Sequence, residues 1–203
     1  MEIVEREFGR GTLSLETGRL ARQANGSVLV RYGDTMVLVA ATAAPGSGMG
    51  AEFFPLSVFY VEKAYAAGRI PGGFFKREAR LSDSETLISR IIDRPLRPSF
   101  QENYLAETLI VATVLSHDLE FPSDVAAMIG ASAALSISDI PLLQPIGGVR
   151  VGMIDGEFIT NPDPDELSRS QMNIFMAGSR DAILMVEGEA NEVSESVMLD
   201  ALW

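Results

Sequence analysis

Cysteine is absent from the 203 residues, so disulfides, thiolate nucleophiles and cysteine-bound metals are all excluded. A single histidine, His117, rules out a multi-histidine metal centre. It stands in Ser116-His117-Asp118-Leu119, which reads as a turn, and its role is read as structural. No run approaches the ~18 apolar residues of a membrane helix, so no partner membrane is expected. The start, MEIVEREFGRG, is charged and strand-like, unlike a signal peptide, and a cytoplasmic location is expected. Basic residues are in the minority, 16 against 28 acids, for a net charge of −12. That balance argues against coating duplex nucleic acid and leaves room only for a focused basic path. Phosphate-binding and nucleophile motifs are missing too: there is no G-x-x-x-x-G-K-[ST], no G-x-G-x-x-G after a strand, and no G-x-S-x-G. Asp163, Asp165 and Glu166 have the chemistry for Mg²⁺, but they lie in a proline-rich stretch where solvation explains them more cheaply.

What is present suits a soluble globular core: 47% hydrophobic and 22% charged residues. Residues 2–8 and 12–16 alternate around Gly9-Arg10-Gly11 as a hairpin. Residues 27–31 and 35–43 flank Tyr32-Gly33-Asp34, and the second run is apolar on both faces, as in a central strand. Further strands are predicted over 53–61 and 107–116. Ser82 and Glu85 fit a capping box, opening a helix to about Arg94 that Pro95 should end. Residues 122–138, rich in alanine and glycine, suit a closely packed helix. Pro141 and Pro145-Ile146-Gly147-Gly148 mark a break between two halves. Beyond it, Asp155-Gly156 signals a hairpin, NPDPDELSRSQ reads as a polar loop, and strands are expected near 172–177 and 182–188. Residues 194–202 look helical, and their apolar Val197, Met198, Leu199, Leu202 and Trp203 read as a patch prone to association. The chain stops there without a polar tail, as a piece of something longer would. Clustered strands with single helices between them give an α+β class.

One stretch carries chemistry, Ala64 to Pro98. Glycines and two adjacent rings, Phe74 and Phe75, are followed by Lys76, Arg77 and Arg80, then by Arg90, Arg94 and Arg97 on the helix. From 63 to 97 there are eight of the 16 basic residues against four acids, a local balance of about +4 in an acidic chain. Paired rings beside cations suit single-stranded nucleic acid, since a stacked base contributes roughly 1–3 kcal/mol and cations follow the backbone. The plainer alternative is that the rings pack inward and that Arg94 and Arg97 pair with nearby carboxylates.

The segment FFPLSVFYVEKAYAAGRIPGGFFKREARLSDSETLISRIIDRPLRP resembles the first core domain of the bacterial polynucleotide phosphorylase family. So do LETGRLARQANGSVLVRYGDTMVL, DVAAMIGASAALSISDIP and MAGSRDAILMVEGEA, so the likeness covers nearly the whole chain. It implies a ribonuclease PH-like (ribosomal protein S5 domain 2-like) fold. Residues 1–145 would form the N-terminal part of one core, with an RNA-channel loop over 66–80. Residues 146–203 would form its C-terminal part, ending before a helical linker and second core. The resemblance further implies a homotrimeric ring that admits single-stranded RNA, KH and S1 domains downstream, and docking by components of RNA-degradation complexes. The implied reaction is phosphorolysis of RNA from the 3′ end to nucleoside diphosphates, with inorganic phosphate as co-substrate and Mg²⁺ as cofactor. Phe74, Phe75, Lys76 and Arg77 match the channel constriction, and Arg80 is expected to join them in binding RNA.

The family's catalytic pattern is not kept. Active domains of this type carry a phosphate-binding arginine where Ser84 stands. A second arginine, or a serine run, occurs where this chain reads Pro122-Ser123-Asp124, and an Asp-x-Lys pair where it reads Asn173-Ile174-Phe175. An aspartate, Asp124, where phosphate should sit would repel it by roughly 4 kcal/mol per charge pair at about 4 Å. The chain is therefore expected to be catalytically silent, with the chemistry and its Mg²⁺ in the second core. The alternatives are a purely structural trimerisation module and, against the substitutions, an independently active enzyme.

Overall fold

The computed structural model describes residues 1–44, 46, 52–72, 78 and 80–203. The two alternating runs at the start form β1 (Glu2–Phe8) and β2 (Gly11–Thr17), paired antiparallel from Glu2 opposite Thr17 to Phe8 opposite Gly11. They continue into β3 (Gly26–Tyr32) and β4 (Thr35–Ala44), and then β5 (Leu56–Glu62) and β6 (Glu107–Ser116) complete the sheet. The order is β1-β2-β3-β4-β6-β5. β4, the run apolar on both faces, sits centrally between β3 and β6. Among the described residues only β5 and β6 run parallel, so the chain must cross over between them, and it does so through α1 (Asp83–Leu96).

The second half builds a four-stranded antiparallel sheet in the order β10-β9-β7-β8. β7 (Gly147–Ile154) and β8 (Glu157–Thr160) are joined at Asp155-Gly156, whose φ angles of 52° and 83° are the paired positive values a two-residue hairpin needs. β9 (Met172–Gly178) and β10 (Ile183–Ala190) follow.

Between the two sheets lies α2 (Ser123–Ser136), touching β3, β4 and β6 on one side and β7 on the other. Contact on both sides explains its composition, because small residues let two sheets approach one helix. Ala126, Ala127, Ala131 and Ala134 are fully buried. A Cβ on Gly130 would stand 2.6 Å from Val39 and 2.7 Å from Val30. One core therefore runs through both halves, from Val30, Val39 and Ile110 to Ile146, Phe175 and Ala177.

Three expectations need correction. Pro95 does not stop α1: the helix runs to Leu96 and continues as a 3-10 turn over Arg97–Ser99. Burial of Pro95 and Leu96 holds that last turn, the Arg97 N–H bonds the Asp93 carbonyl, and the Ser99 hydroxyl bonds the Pro95 carbonyl at 2.9 Å. The polar stretch after β8 contains α3 (Pro164–Arg169), opened by a capping box between Asp163 and Glu166. The terminal helix, α4 (Glu195–Asp200), is no free apolar patch: Val197, Met198 and Leu202 pack on the outer face of the second sheet against Val151, Met172 and Ile174. Leu199 and Trp203 remain exposed. Among the described residues no helix is long and apolar enough to cross a membrane.

Candidate functional site

The basic loop springs from a firmly tied base. β5 ends at Glu62, and a single 3-10 turn over Ala64–Ala67 closes on Gly68, whose φ of 64° turns the chain outward. Two carboxylates fasten the segment beyond Gly68. Glu78 accepts the Ala64 N–H at 2.6 Å and faces the Lys63 ammonium at 3.6 Å, drawing the far side of the loop back to the near side. Glu85, buried in the first turn of α1, accepts the N–H of Glu62 with one oxygen at 2.8 Å and that of Ser82 with the other at 2.7 Å. Burial alone would raise the Glu85 carboxyl, but these backbone donations outweigh it and hold the group below its ordinary value.

Of the residues assigned to RNA, Phe74, Phe75, Lys76 and Arg77 lie outside the described residues, and Arg80 is exposed beside the start of α1. Arg94 and Arg97 follow the plainer reading, pairing with Glu187 and Asp93, and Lys63 pairs with Glu78. Arg69, Arg80 and Arg90 are exposed and form no ion pair among the described residues. A pocket of about 350 Å³ lies at the loop base, lined by Lys63, Arg69, Ile70, Glu78 and His117. His117 is fixed through its backbone, its N–H donating to the Ala66 carbonyl at 3.1 Å.

The positions where the family pattern is lost converge, apart from Ser84, which is exposed in the first turn of α1. β9 presents alternate residues to α2, so Asn173 and Phe175 face inward while Met172 and Ile174 face α4. Antiparallel pairing sets Arg150 of β7 directly opposite Phe175. The Arg150 guanidinium lies 5.5 Å from the Phe175 ring centre, bonds the Asn173 amide oxygen, and forms an ion pair with Asp124 in the first turn of α2. Asp124 and Arg150 are largely buried, their side chains 9% and 16% exposed.

Asp124 is therefore matched in charge, which corrects the expectation of a bare repulsive carboxylate. That ion pair fills the space between the start of α2 and β7. A divalent cation does not fit: the one carboxylate among these positions already faces a guanidinium, and Asn173 and Phe175 carry no charge. Arg150 was missed in the sequence, yet a signal exists: it is a lone cation in an apolar strand, flanked two residues away on the same face by Gly148 and Gly152, which leave room for it.

Polar contacts run from this cluster towards the loop. Ser123, adjacent to Asp124, meets the Tyr60 hydroxyl at 2.8 Å, and that hydroxyl donates to Glu62 at 2.9 Å. Burial pushes the Tyr60 phenol far above its ordinary range, so it stays protonated and able to donate.

Comparison with known proteins sets this arrangement in context. The chain is 56% identical over 200 residues to the polyribonucleotide nucleotidyltransferase of Geotalea uraniireducens, covering 98% of this chain and 29% of that protein. It is 57% identical over 201 residues to the one from Pelobacter propionicus, covering 99% of this chain and 28% of that protein. It thus spans less than a third of the length of these relatives. The crystal structure of rice (Oryza sativa) Rrp46 superposes with a TM-score of 0.73 at 19% identity, over 94% of this chain and 85% of that one, and shares the fold. The model of the 3′ exoribonuclease family, domain 1, matches residues 11–141, and that of domain 2 matches residues 144–202. By these matches the chain, with its ribonuclease PH-like α+β fold, belongs to the 3′ exoribonuclease family.

Proposed function

We propose that this chain is the first core of a phosphorolytic 3′–5′ exoribonuclease, a polyribonucleotide nucleotidyltransferase. In this reading it guides single-stranded RNA and helps to build the trimer ring without performing catalysis. Residues 1–145 and 146–203 are the two parts of that one core. Support for the setting comes from relatives of that name, of which this chain spans less than a third. The observation that carries catalytic silence is the Arg150–Asp124 ion pair, closed by Asn173 and Phe175, where the family's phosphate and metal groups would stand.

On this proposal phosphate attack and its Mg²⁺ belong to a second core, and KH and S1 domains add further RNA contacts. The assembly works in the cytoplasm as a homotrimer, open to components of RNA-degradation complexes. Phe74 and Phe75 stack on bases while Lys76, Arg77 and Arg80 contact phosphates. The tied loop base favours guiding over a purely structural role, because it fixes where a stacking platform would stand.

The test of silence is direct. The purified chain, given a 3′-tailed RNA, Mg²⁺ and inorganic phosphate, releases no nucleoside diphosphate. Phosphate-dependent release that survives repurification would overturn the reading.

A further inference from the structure

The pocket at the loop base keeps one cation and one acceptor uncommitted. Its walls are apolar where Ala67, Ile70, Pro71 and Val114 line it, and Ile70 is 91% exposed, a bare aliphatic surface at the rim. The charged groups around it are Glu62, Lys63, Arg69 and Glu78, beside the His117 ring. Lys63 and Glu78 answer each other at 3.6 Å. Arg69 is exposed and forms no ion pair among the described residues, although its backbone N–H is fixed to the Ala64 carbonyl at 2.9 Å. Glu62 accepts the Tyr60 hydroxyl with one carboxylate oxygen, and the other carries no hydrogen bond among the described residues. The walls are held in place, because the turn over Ala64–Ala67 is tied to Glu78 and to the His117 N–H. Two opposite charges thus stand open beside an apolar surface. The space, about 350 Å³, lies at the small end of the roughly 300–1,000 Å³ range of ligand sites.

We propose that this pocket takes one nucleotide of a single-stranded RNA, with the base on the apolar wall and its phosphate at Arg69, and that the open oxygen of Glu62 favours bases bearing an amino group. The inference rests on the RNA-guiding reading and deepens it, adding a subsite built from residues other than Phe74, Phe75, Lys76, Arg77 and Arg80. Charge selects the ligand. Two acids and two bases cancel across the pocket, so it offers no place for the clustered charge of a free nucleoside diphosphate. Each unit of a strand brings one negative charge, which one guanidinium answers. A base leaves water by covering Ile70 and Pro71. Adenine, cytosine and guanine turn an exocyclic N–H to a carboxylate, whereas the one N–H on the pairing edge of uracil stands between two carbonyl oxygens that a carboxylate repels.

The experiment uses the 203-residue chain and two dinucleoside monophosphates, CpC and UpU, which carry one phosphate each. Their rings are equal in size, so their difference reads the amino group. Binding is followed by broadening of the ligand's proton resonances over a concentration series at fixed ionic strength. The parent should bind CpC several-fold more tightly than UpU. Arg69→Gln should weaken both about tenfold, because a charged contact is lost. Ala67→Leu, which fills the pocket from an exposed position, should abolish both. Glu62→Gln has an amide that still accepts the Tyr60 hydroxyl and can also donate, so it should erase the preference for CpC while both ligands bind. A merely structural role does not move that preference, and thermal unfolding confirms that each variant keeps its fold. Arg69 and Ala67 are both exposed, so either change suffices should the other fail to fold. The proposal is overturned if the parent binds neither dinucleotide at millimolar concentration. It is overturned equally if the Arg69 and Ala67 variants bind as the parent does, or if Glu62→Gln keeps the preference. A long single-stranded RNA, bound by the parent and by Lys76→Ala with Arg77→Ala, decides the guiding reading separately. Long RNA held through the tip, with the pocket variants unaffected, leaves guiding in place and removes the subsite.

Discussion

Glu85 in α1 accepts the backbone N–H of Glu62 at the end of β5, a 2.8 Å hydrogen bond across 23 residues. The same carboxylate completes the capping box with Ser82, so one side chain closes a helix start and a strand end together. Glu85→Gln keeps one acceptor and turns the other into a donor facing an amide. A lost charged hydrogen bond at a buried site costs about 1–3 kcal/mol. Urea unfolding at neutral pH should show that loss with an unchanged m-value.

Acid should reveal the same tie. The folded Glu85 carboxyl is held below its ordinary value of 4.5, and Glu166 is lowered as well, chiefly by the hydrogen bond from Arg10. A depressed folded pKa gives stability that is fully present above the unfolded value and is lost as pH falls through the folded one. Unfolding free energy should therefore hold steady near neutrality and decline below about pH 4.5. Glu85→Gln with Glu166→Gln should flatten that decline, as measured by denaturant titrations at stepped pH.

Arg150→Met strands Asp124 as a buried charge without a partner. Breaking a buried pair on one side costs about 3–5 kcal/mol, whereas replacing both members by apolar groups is often close to neutral. Arg150→Met alone should thus be severely destabilised, and Asp124→Leu/Arg150→Met should recover most of the loss in a double-mutant cycle. Additive losses would mean that the two residues do not act as a pair.

The loop residues separate by type. In an assembly with its second core, Lys76→Ala with Arg77→Ala should lower the salt slope of single-stranded RNA binding by about 0.7 per cation removed. Phe74→Ala with Phe75→Ala should cost about 1–3 kcal/mol per base left unstacked, with the slope nearly unchanged. Very short RNAs should be degraded almost as in the parent. If both double changes bind and degrade long RNA as the parent does, the purely structural module is the correct reading.

Gly26 opens β3 where α2 ends, and a Cβ there would come within 2.0 Å of the Ala134 carbonyl oxygen. Because the obstruction is helix backbone, relief requires α2 to move off the sheet. Gly26→Ala should cost about 1–3 kcal/mol or more, read as a lowered urea midpoint.

Most of the fold was legible because its signals are local. Alternation marked β1 and β2, the serine–glutamate spacing marked the start of α1, and Asp155-Gly156 marked the second hairpin. What escaped depends on contacts distant in sequence. Pro95 stays helical because Leu96 is buried beneath it, and Asp163 caps α3 while also pairing with Arg10, 153 residues away. The candidate site divides in the same way. Ser84, Asp124, Asn173 and Phe175 could be picked out by resemblance; Arg150 stands out in the sequence only as a lone cation in an apolar strand, and strand register is what joins it to the last three.

The two ties at the loop base, Glu78 to Ala64 and Glu85 to Glu62, make tip chemistry and fold stability separate variables. Glu78 and Glu85 fasten the chain on either side of the segment to the end of β5 and the turn after it. Closing a loop between fixed ends is only weakly sensitive to length, about 0.6 kcal/mol for each doubling. Lineages can therefore lengthen, shorten or re-charge the stretch between Gly68 and Glu78 at small thermodynamic cost. That freedom leaves the sheets and the buried helix as they are while the stretch changes.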